Sequence, residues 1–457
     1  MPPVPPRNKV APASRRLSGG RPRLPLRVAL LALTFAAAGA AAMLYYHQKL
    51  FLPIAHQASL AKGLGGGYAF GNDFYPLWLT ARDALRGRDP YSPEMTREIQ
   101  GGLFGRTLDR PGDPKDLRTF AHPAFTLLVI WPAAQMPFEV ARIVLGILLL
   151  IMTVASVLLW FDVLSWNLRL PWIWAAVLLT LCSYPALEGL YAEQLGLAVA
   201  FLLVAGIVAL QRGRLLLAGL LIALAWMKPQ ITMLVTCYLL AWSFFQLKPR
   251  GRFLIGFFAT LGLLLAAALL VWPRWIQEWV RVLLHYHAYS EPSLLGGVLT
   301  SLLGSRAAGP STALLTVVAI IACMTLAWTN RSVAADTPAF ILTLSVLLAA
   351  TTIAILPGQA IYDHVILLPG ILLVIRRWPE LRSAGRPVTI LLMIGAVLLF
   401  WPFAAAIALV LANAVGSSMA SPQVLALPLR TSASLPFALL ALLGYALKSE
   451  SAFPPKP

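Results

Sequence analysis

Apolar runs of membrane-crossing length alternate with short polar connectors along almost the whole chain. The runs lie at Val28–Tyr45, Phe138–Val163, Leu170–Leu187, Leu195–Leu210, Leu215–Met227, Ile231–Phe245, Phe253–Trp272, Thr312–Thr329, Thr337–Leu356, Tyr362–Ile375, Val388–Ala412 and Leu435–Leu447. A bilayer core of about 30 Å takes about 20 apolar residues as helix. The pattern therefore predicts an all-α polytopic membrane protein with about twelve spans, ten to thirteen allowing for the short runs. Leu215 to Phe245 is nearly one run, interrupted by Lys228-Pro229. Proline breaks the helical hydrogen-bond ladder, so this stretch is either two spans or two half-helices.

Composition agrees with the pattern. The 457 residues are 59% hydrophobic and 12% charged, against about 25% charged in soluble domains. Such a chain cannot cover a water-facing surface, and lipid must solvate it. The net charge of +18 raises the question of nucleic acid, but there is no soluble basic domain to bind it, and no nucleic-acid partner is expected. Instead the positive charges border the apolar runs. Placing the Arg-rich segment 1–26, read as a disordered tail, in the cytoplasm puts Arg169, Arg212, Arg214, Lys248, Arg250, Arg252, Arg331, Arg376, Arg377, Arg382, Arg386 and Lys448 on the same side, as the positive-inside rule requires. One membrane domain then covers 27–448, followed by a cytoplasmic tail at 449–457. The first run is read as an uncleaved anchor rather than a signal peptide. Two large loops, 46–137 and 273–311, face the other side. The expected location is a bacterial-type inner membrane, with the chemistry outside the cytoplasm.

The polar residues in those outer regions are the candidates for chemistry. Asp73 precedes a short amphipathic pattern, Phe74 to Leu85, suited to an interfacial helix. An aspartate there is also what a plain helix N-cap needs. Asp89-Pro90 reads as a turn. Glu188, Glu193 and Gln194 lie at the outer ends of two spans, where ionisable groups are costly unless partnered. Lys228 sits at the outer boundary, where the positive-inside rule does not call for it; it suits an interfacial anchor or, by preference, a phosphate. Asp363-His364 opens a span in the same position, and Arg142 and Arg281 add positive charge nearby. His285-Tyr286-His287 lacks a third ligand at a metal-site spacing, and no metal is expected. Cys182, Cys237 and Cys323 have neither disulfide nor zinc spacing and read as buried small hydrophobes. A carboxylate, cations, a histidine and amides on one face suit transfer from a phosphate-linked donor. The carboxylate would accept a proton from the attacking hydroxyl, and the cations would stabilise the departing phosphate.

Several of these residues resemble, in order and spacing, the polyprenol-phosphate-sugar-dependent glycosyltransferases of the C-type fold, and most closely glycosyltransferase family 87. The matching segments are Asp73-Phe74-Tyr75, Gly87-Arg88-Asp89-Pro90-Tyr91, His122-Pro123 through Pro132 and Pro137-Phe138, Glu193-Gln194, Lys228-Pro229, Ser293-Leu294 and Asp363-His364. The resemblance implies a GT-C-like fold and an inverting, metal-independent transfer of a hexose, mannose first, from a polyprenyl-phosphate donor. It implies Asp73 as general base, and Lys228 and His364 at the donor phosphate. Gln194, Glu193, Tyr75 and Arg142 complete the expected binding set. The expected partners are membrane lipids, the lipid-linked sugar and a glycolipid or glycan acceptor, with no further cofactor. Glu193 stands where the family usually has glycine, and His122 where it usually has tyrosine. Transport or flipping of a lipid-linked sugar is the alternative, but it predicts ionisable residues buried mid-span and related halves. A non-catalytic scaffold ranks third.

Overall fold

The computed structural model describes residues 25–65, 71–304, 308–416 and 422–452. The segment read as a basic tail lies almost wholly outside them, as do the last five residues. Every regular element among the described residues is helical.

Helices α1 (Leu26–Tyr45) and α2 (Leu52–Ala61) run on through a π-helical segment, Tyr46–Phe51. The first outer loop was expected from residue 46, but the helix continues to Ala61. The extra turns hold because their polar groups have partners: His47 Nε2 lies 3.0 Å from Glu188 Oε2, and the Tyr46 hydroxyl donates to the Leu425 carbonyl. Three short helices follow, α3 (Phe74–Ala84), α4 (Pro93–Phe104) and α5 (Phe125–Ala134). Phe74, Leu77, Trp78, Ile99, Phe104 and Leu127 join them in an apolar cluster that also takes in Trp272 and Trp275. A short helix was expected at Phe74–Leu85, and α3 covers Phe74–Ala84.

The chain continues through α6 (Phe138–Val163), α7 (Leu170–Leu181), α8 (Tyr184–Ala192), α9 (Leu195–Gln211) and α10 (Leu215–Leu224). A 3-10 turn, Ala225–Met227, leads to α11 (Pro229–Phe244) and α12 (Leu247–Val271). Beyond these come α13 (Trp275–Tyr289), α14 (Leu294–Leu303), α15 (Ala308–Thr329) and α16 (Pro338–Ala354). A second 3-10 segment, Ile361–Leu367, precedes α17 (Leu368–Arg376) and α18 (Trp378–Ser383). The chain closes with α19 (Arg386–Ala414), α20 (Pro422–Leu425), α21 (Leu427–Ser432) and α22 (Leu435–Ala452). Lys228-Pro229 therefore separates two short helices.

About twelve spans were expected. Among the described residues, four helical stretches are long and apolar enough to cross a membrane: Leu26–Ala61, Phe138–Val163, Leu247–Val271 and Arg386–Ala414. The pair α7–α8, bent by 59°, adds a fifth if counted as one span, and seven further apolar helices are shorter. At 1.5 Å per residue, the 17 residues of α9 or α16 reach only about 25 Å, short of the hydrocarbon core. Side chains such as Leu263, Leu270 and Ile321 stand exposed on α12 and α15, as a lipid-facing surface requires.

The basic connectors meet at one end of the bundle. Arg212 pairs with Asp162 at 2.6 Å, Arg376 donates to the Leu164 carbonyl, and Arg250 donates to the Arg331 carbonyl at 2.8 Å. Glycine lets two helices meet closely inside the bundle. A Cβ on Gly219 of α10 would lie 2.2 Å from the Phe253 carbonyl oxygen, and one on Gly256 of α12 would lie 2.3 Å from that of Leu216. Small residues serve this purpose where lipid removes the usual hydrophobic drive between helices.

Gly219→Leu should therefore cost about 1–3 kcal/mol by overpacking and lower the unfolding temperature in detergent. Gly262→Leu, on α12 with open space around it, should leave that temperature unchanged. Equal behaviour of the two variants would contradict this packing.

Candidate active site

The site is assembled at the end opposite the basic connectors, around the turn between α8 and α9. Helix α8 stops at Ala192, Glu193 adopts the left-handed conformation (φ 56°, ψ 52°), and Gln194 is extended. Helix ends leave carbonyls without intrahelical partners. Here the Tyr191 carbonyl accepts the Gly71 N–H at 2.9 Å, and the Ala192 carbonyl accepts that of Asp73 at 3.2 Å. The end of α8 thus fixes the backbone that carries Asp73. Asp73 precedes α3, yet its side chain makes no capping bond. The plain N-cap role does not account for it.

Its carboxylate is instead part of a partly buried chain of polar contacts. Arg118 donates to Oδ1 at 2.5 Å, and the Gln194 amide donates to Oδ2. Gln194 Oε1 accepts from Lys228 Nζ at 3.0 Å. Lys228 in turn pairs with Asp363 at 2.7 Å and lies over the Tyr362 ring, 4.7 Å from its centroid. Lys228 is reachable because the α10–α11 break turns it inward. Asp363 is reachable because position 196 is glycine: a Cβ there would lie 2.3 Å from Asp363 Oδ1. The Lys228 and Asp363 side chains are 7% and 1% exposed, so each charge depends on the other. Removing one partner of such a pair costs about 3–5 kcal/mol.

His122 borders this chain. Burial, reinforced by the Lys228 ammonium, holds its imidazole down at about 4, so it is neutral near pH 7. A neutral ring bonded to the Met227 carbonyl through Nδ1, at 3.2 Å, must donate there. Nε2 is left as an acceptor. Burial opposes the Arg118 charge, but the Asp73 and Asp116 carboxylates outweigh it and raise the guanidinium above its ordinary value. Asp89 accepts the Tyr91 N–H at 2.9 Å, the turn role expected of it.

The structure thus brings together Asp73, Gln194 and Lys228 from the expected set. Four other members lie elsewhere. Tyr75 stacks near Trp78 and meets the edge of Phe138 at 5.0 Å, with its hydroxyl over Gly102; the turn of α3 directs it toward α4 and away from Asp73. Arg142 pairs with Glu139 at 2.6 Å. Glu193 is fully buried against Gly71, and its carboxylate has no hydrogen-bond partner among the described residues. His364 lines an apolar cavity of about 150 Å³ with Ser183, Tyr184, Leu368 and Phe403, and its Nδ1 is unpartnered among the described residues. Sequence reasoning missed Arg118. Asp363 was visible as a costly charge opening an apolar run, but nothing in the loop pattern distinguished Arg118 from its neighbours.

A family model, glycosyltransferase family 87, matches residues 120–357, just over half of the chain. The chain belongs to glycosyltransferase family 87. Within that match fall His122, Gln194 and Lys228. Asp73, Arg118 and Asp363 lie outside it and are tied to the family segment by the contacts just described. No curated protein and no solved structure matches the chain. The membership identifies a glycosyltransferase, and the apolar helices make it a multi-pass membrane protein.

Glu193 carries a pH dependence. Burial is the main cause that pushes its carboxyl up to about 8, opposed by Arg142 and aided by Glu139. Unfolded, the group titrates near 4.5. The folded state thus holds a proton that the unfolded state gives up between these values, so stability is full below about pH 4.5 and falls as pH rises toward 8. The unfolding temperature of Glu193→Gln, relative to the native protein, should rise steadily from pH 5 to pH 8. Glu193→Gly should add a pH-independent gain, because a left-handed side-chain-bearing residue costs about 1–2 kcal/mol. A constant difference across that range for Glu193→Gln would contradict the assignment.

Proposed function

We propose that this glycosyltransferase moves a hexose, mannose being the first to test, from a polyprenyl-phosphate donor to an acceptor hydroxyl on the extracytoplasmic side. The observation that carries the reading is the Asp73 carboxylate, held in a partly buried chain with two cations at the end of the bundle away from the basic connectors. Asp73 takes the proton from the acceptor hydroxyl as its oxygen attacks the anomeric carbon. The new C–O bond forms opposite the breaking bond to the phosphate oxygen, so the configuration inverts. Polyprenyl phosphate leaves with the electron pair, and Lys228 stabilises the charge that develops there. The neutral acceptor side of His122 and the Gln194 amide suit the sugar hydroxyls. The apolar cavity beside His364 suits the lipid end of the donor, with His364 at its polar edge. The acceptor is a glycolipid or a glycan. Membership of a glycosyltransferase family favours transfer over transport of the lipid-linked sugar, and so does the position of the charges at one end.

Asp73→Asn tests the role of the base. Loss of a general base lowers rates by about 10²–10⁴-fold. Transfer of label from a polyprenyl-phosphate hexose should fall by that factor while the unfolding temperature in detergent is kept. Full activity in this variant would remove Asp73 from the mechanism.

A further inference from the structure

We infer that Arg118 is a ligand of the donor phosphate, and that it lets go of Asp73 to become one, so that donor binding itself unmasks the base. The inference rests on the reading above, in which the donor is phosphate-linked and Asp73 is the base.

The resting cluster is complete without a substrate. Arg118 and Lys228 face Asp73 and Asp363, with the Asp116 carboxylate 3.6 Å from Arg118 as well, so neither cation lacks a carboxylate partner. Both Asp73 oxygens already have a donor, Arg118 on one and Gln194 on the other. A base needs an oxygen directed at the acceptor's proton, and an incoming phosphodiester brings a negative charge to a cluster whose cations are already matched by carboxylates. One cation has to change partners to meet both demands.

Arg118 and Lys228 differ in their freedom to do so. Lys228 is held by Gln194 and Asp363 and is nearly inaccessible, and its departure would strand the buried Asp363 carboxylate, a costly outcome. Arg118 sits in the stretch between α4 and α5, outside any helix, and its side chain is 28% exposed. Its backbone is left-handed, φ 55°, a conformation that a residue with a side chain adopts at a cost and that clusters at functional sites. Asp116 anchors the turn by accepting the Arg118 N–H at 3.0 Å, while the Asp116 carboxylate stays 3.6 Å from the guanidinium Nε. The guanidinium can therefore swing about a fixed backbone. A planar fork of donors also matches phosphate oxygens in pairs, which a lysine ammonium does not. If Arg118 moves to the phosphate, Asp73 Oδ1 is freed at the moment the sugar arrives, and Lys228 stays to meet the same phosphate from the buried side.

Farnesyl phosphate binding to the full chain in detergent, followed by titration calorimetry, tests this without turnover. Arg118→Ala should weaken binding by about ten-fold or more, the loss expected for a charge-assisted hydrogen bond, and Arg118→Lys should recover part of it. Asp73→Asn should tighten binding several-fold, because the competitor for Arg118 is gone. The same change made in an Arg118→Ala background should give no gain. A gain there would mean that Asp73 merely repels the phosphate, and the exchange of partners would be wrong. If farnesyl phosphate binds but neither single variant alters its affinity, Arg118 only anchors Asp73 and the inference falls while the donor reading stands. If the native protein binds no farnesyl phosphate, or binds inorganic phosphate as tightly, the lipid-linked donor itself is refuted, and this inference with it.

Discussion

A charge carried into the interior of a membrane protein has to bring its own partner, and the Lys228–Asp363 pair is where this chain meets that requirement. The two groups come from segments 135 residues apart. With so little water around them, neither is tolerable alone. Their pairing holds the α10–α11 break against the 3-10 segment that carries Asp363, and it aligns Lys228 for Gln194. Gln194 in turn holds Asp73. The order of dependence runs from the ion pair outward, so that the residue proposed to do the chemistry is the last to be placed.

The turn between α8 and α9 supplies the other half of that placement. Two carbonyls at the end of α8 hold the backbone of residues 71 to 73, and the residue after the helix delivers Gln194 to the carboxylate. Glu193 occupies the left-handed position that ends α8. Its fully buried carboxyl opposes the turn in two ways, by backbone conformation and by desolvation. Helix docking of α8 through His47 and Glu188 and the close fit at Gly196 keep the turn in place regardless.

Much of this was legible in the sequence, and the reasons for the rest are physical. Lys228 and Asp363 were visible because an ion within or beside an apolar run has to be explained. Asp73 and Gln194 were visible by order and spacing. Asp363 and His364 were read as one unit, yet consecutive residues of a 3-10 helix point about 120° apart. One therefore meets Lys228 and the other lines the apolar cavity. Tyr75 belongs to the same motif as Asp73, but α3 begins between them and turns it away. Arg118 carried no signal, because a loop without periodicity does not say which of its arginines points inward. Apolar run lengths revealed the class of protein but not where its helices stop, since polar residues such as His47 extend a helix when a distant partner satisfies them.

The partly buried chain from Arg118 to Asp363 is proposed to be a phosphate-facing active site. An electron cryo-microscopy map of the native protein in lipid nanodiscs with polyprenyl phosphate tests it most directly. Phosphate density is expected within hydrogen-bond reach of both Arg118 and Lys228, with the Asp73 carboxylate turned toward the same space. Phosphate density seated elsewhere, with the Arg118–Asp73 contact intact, would contradict it.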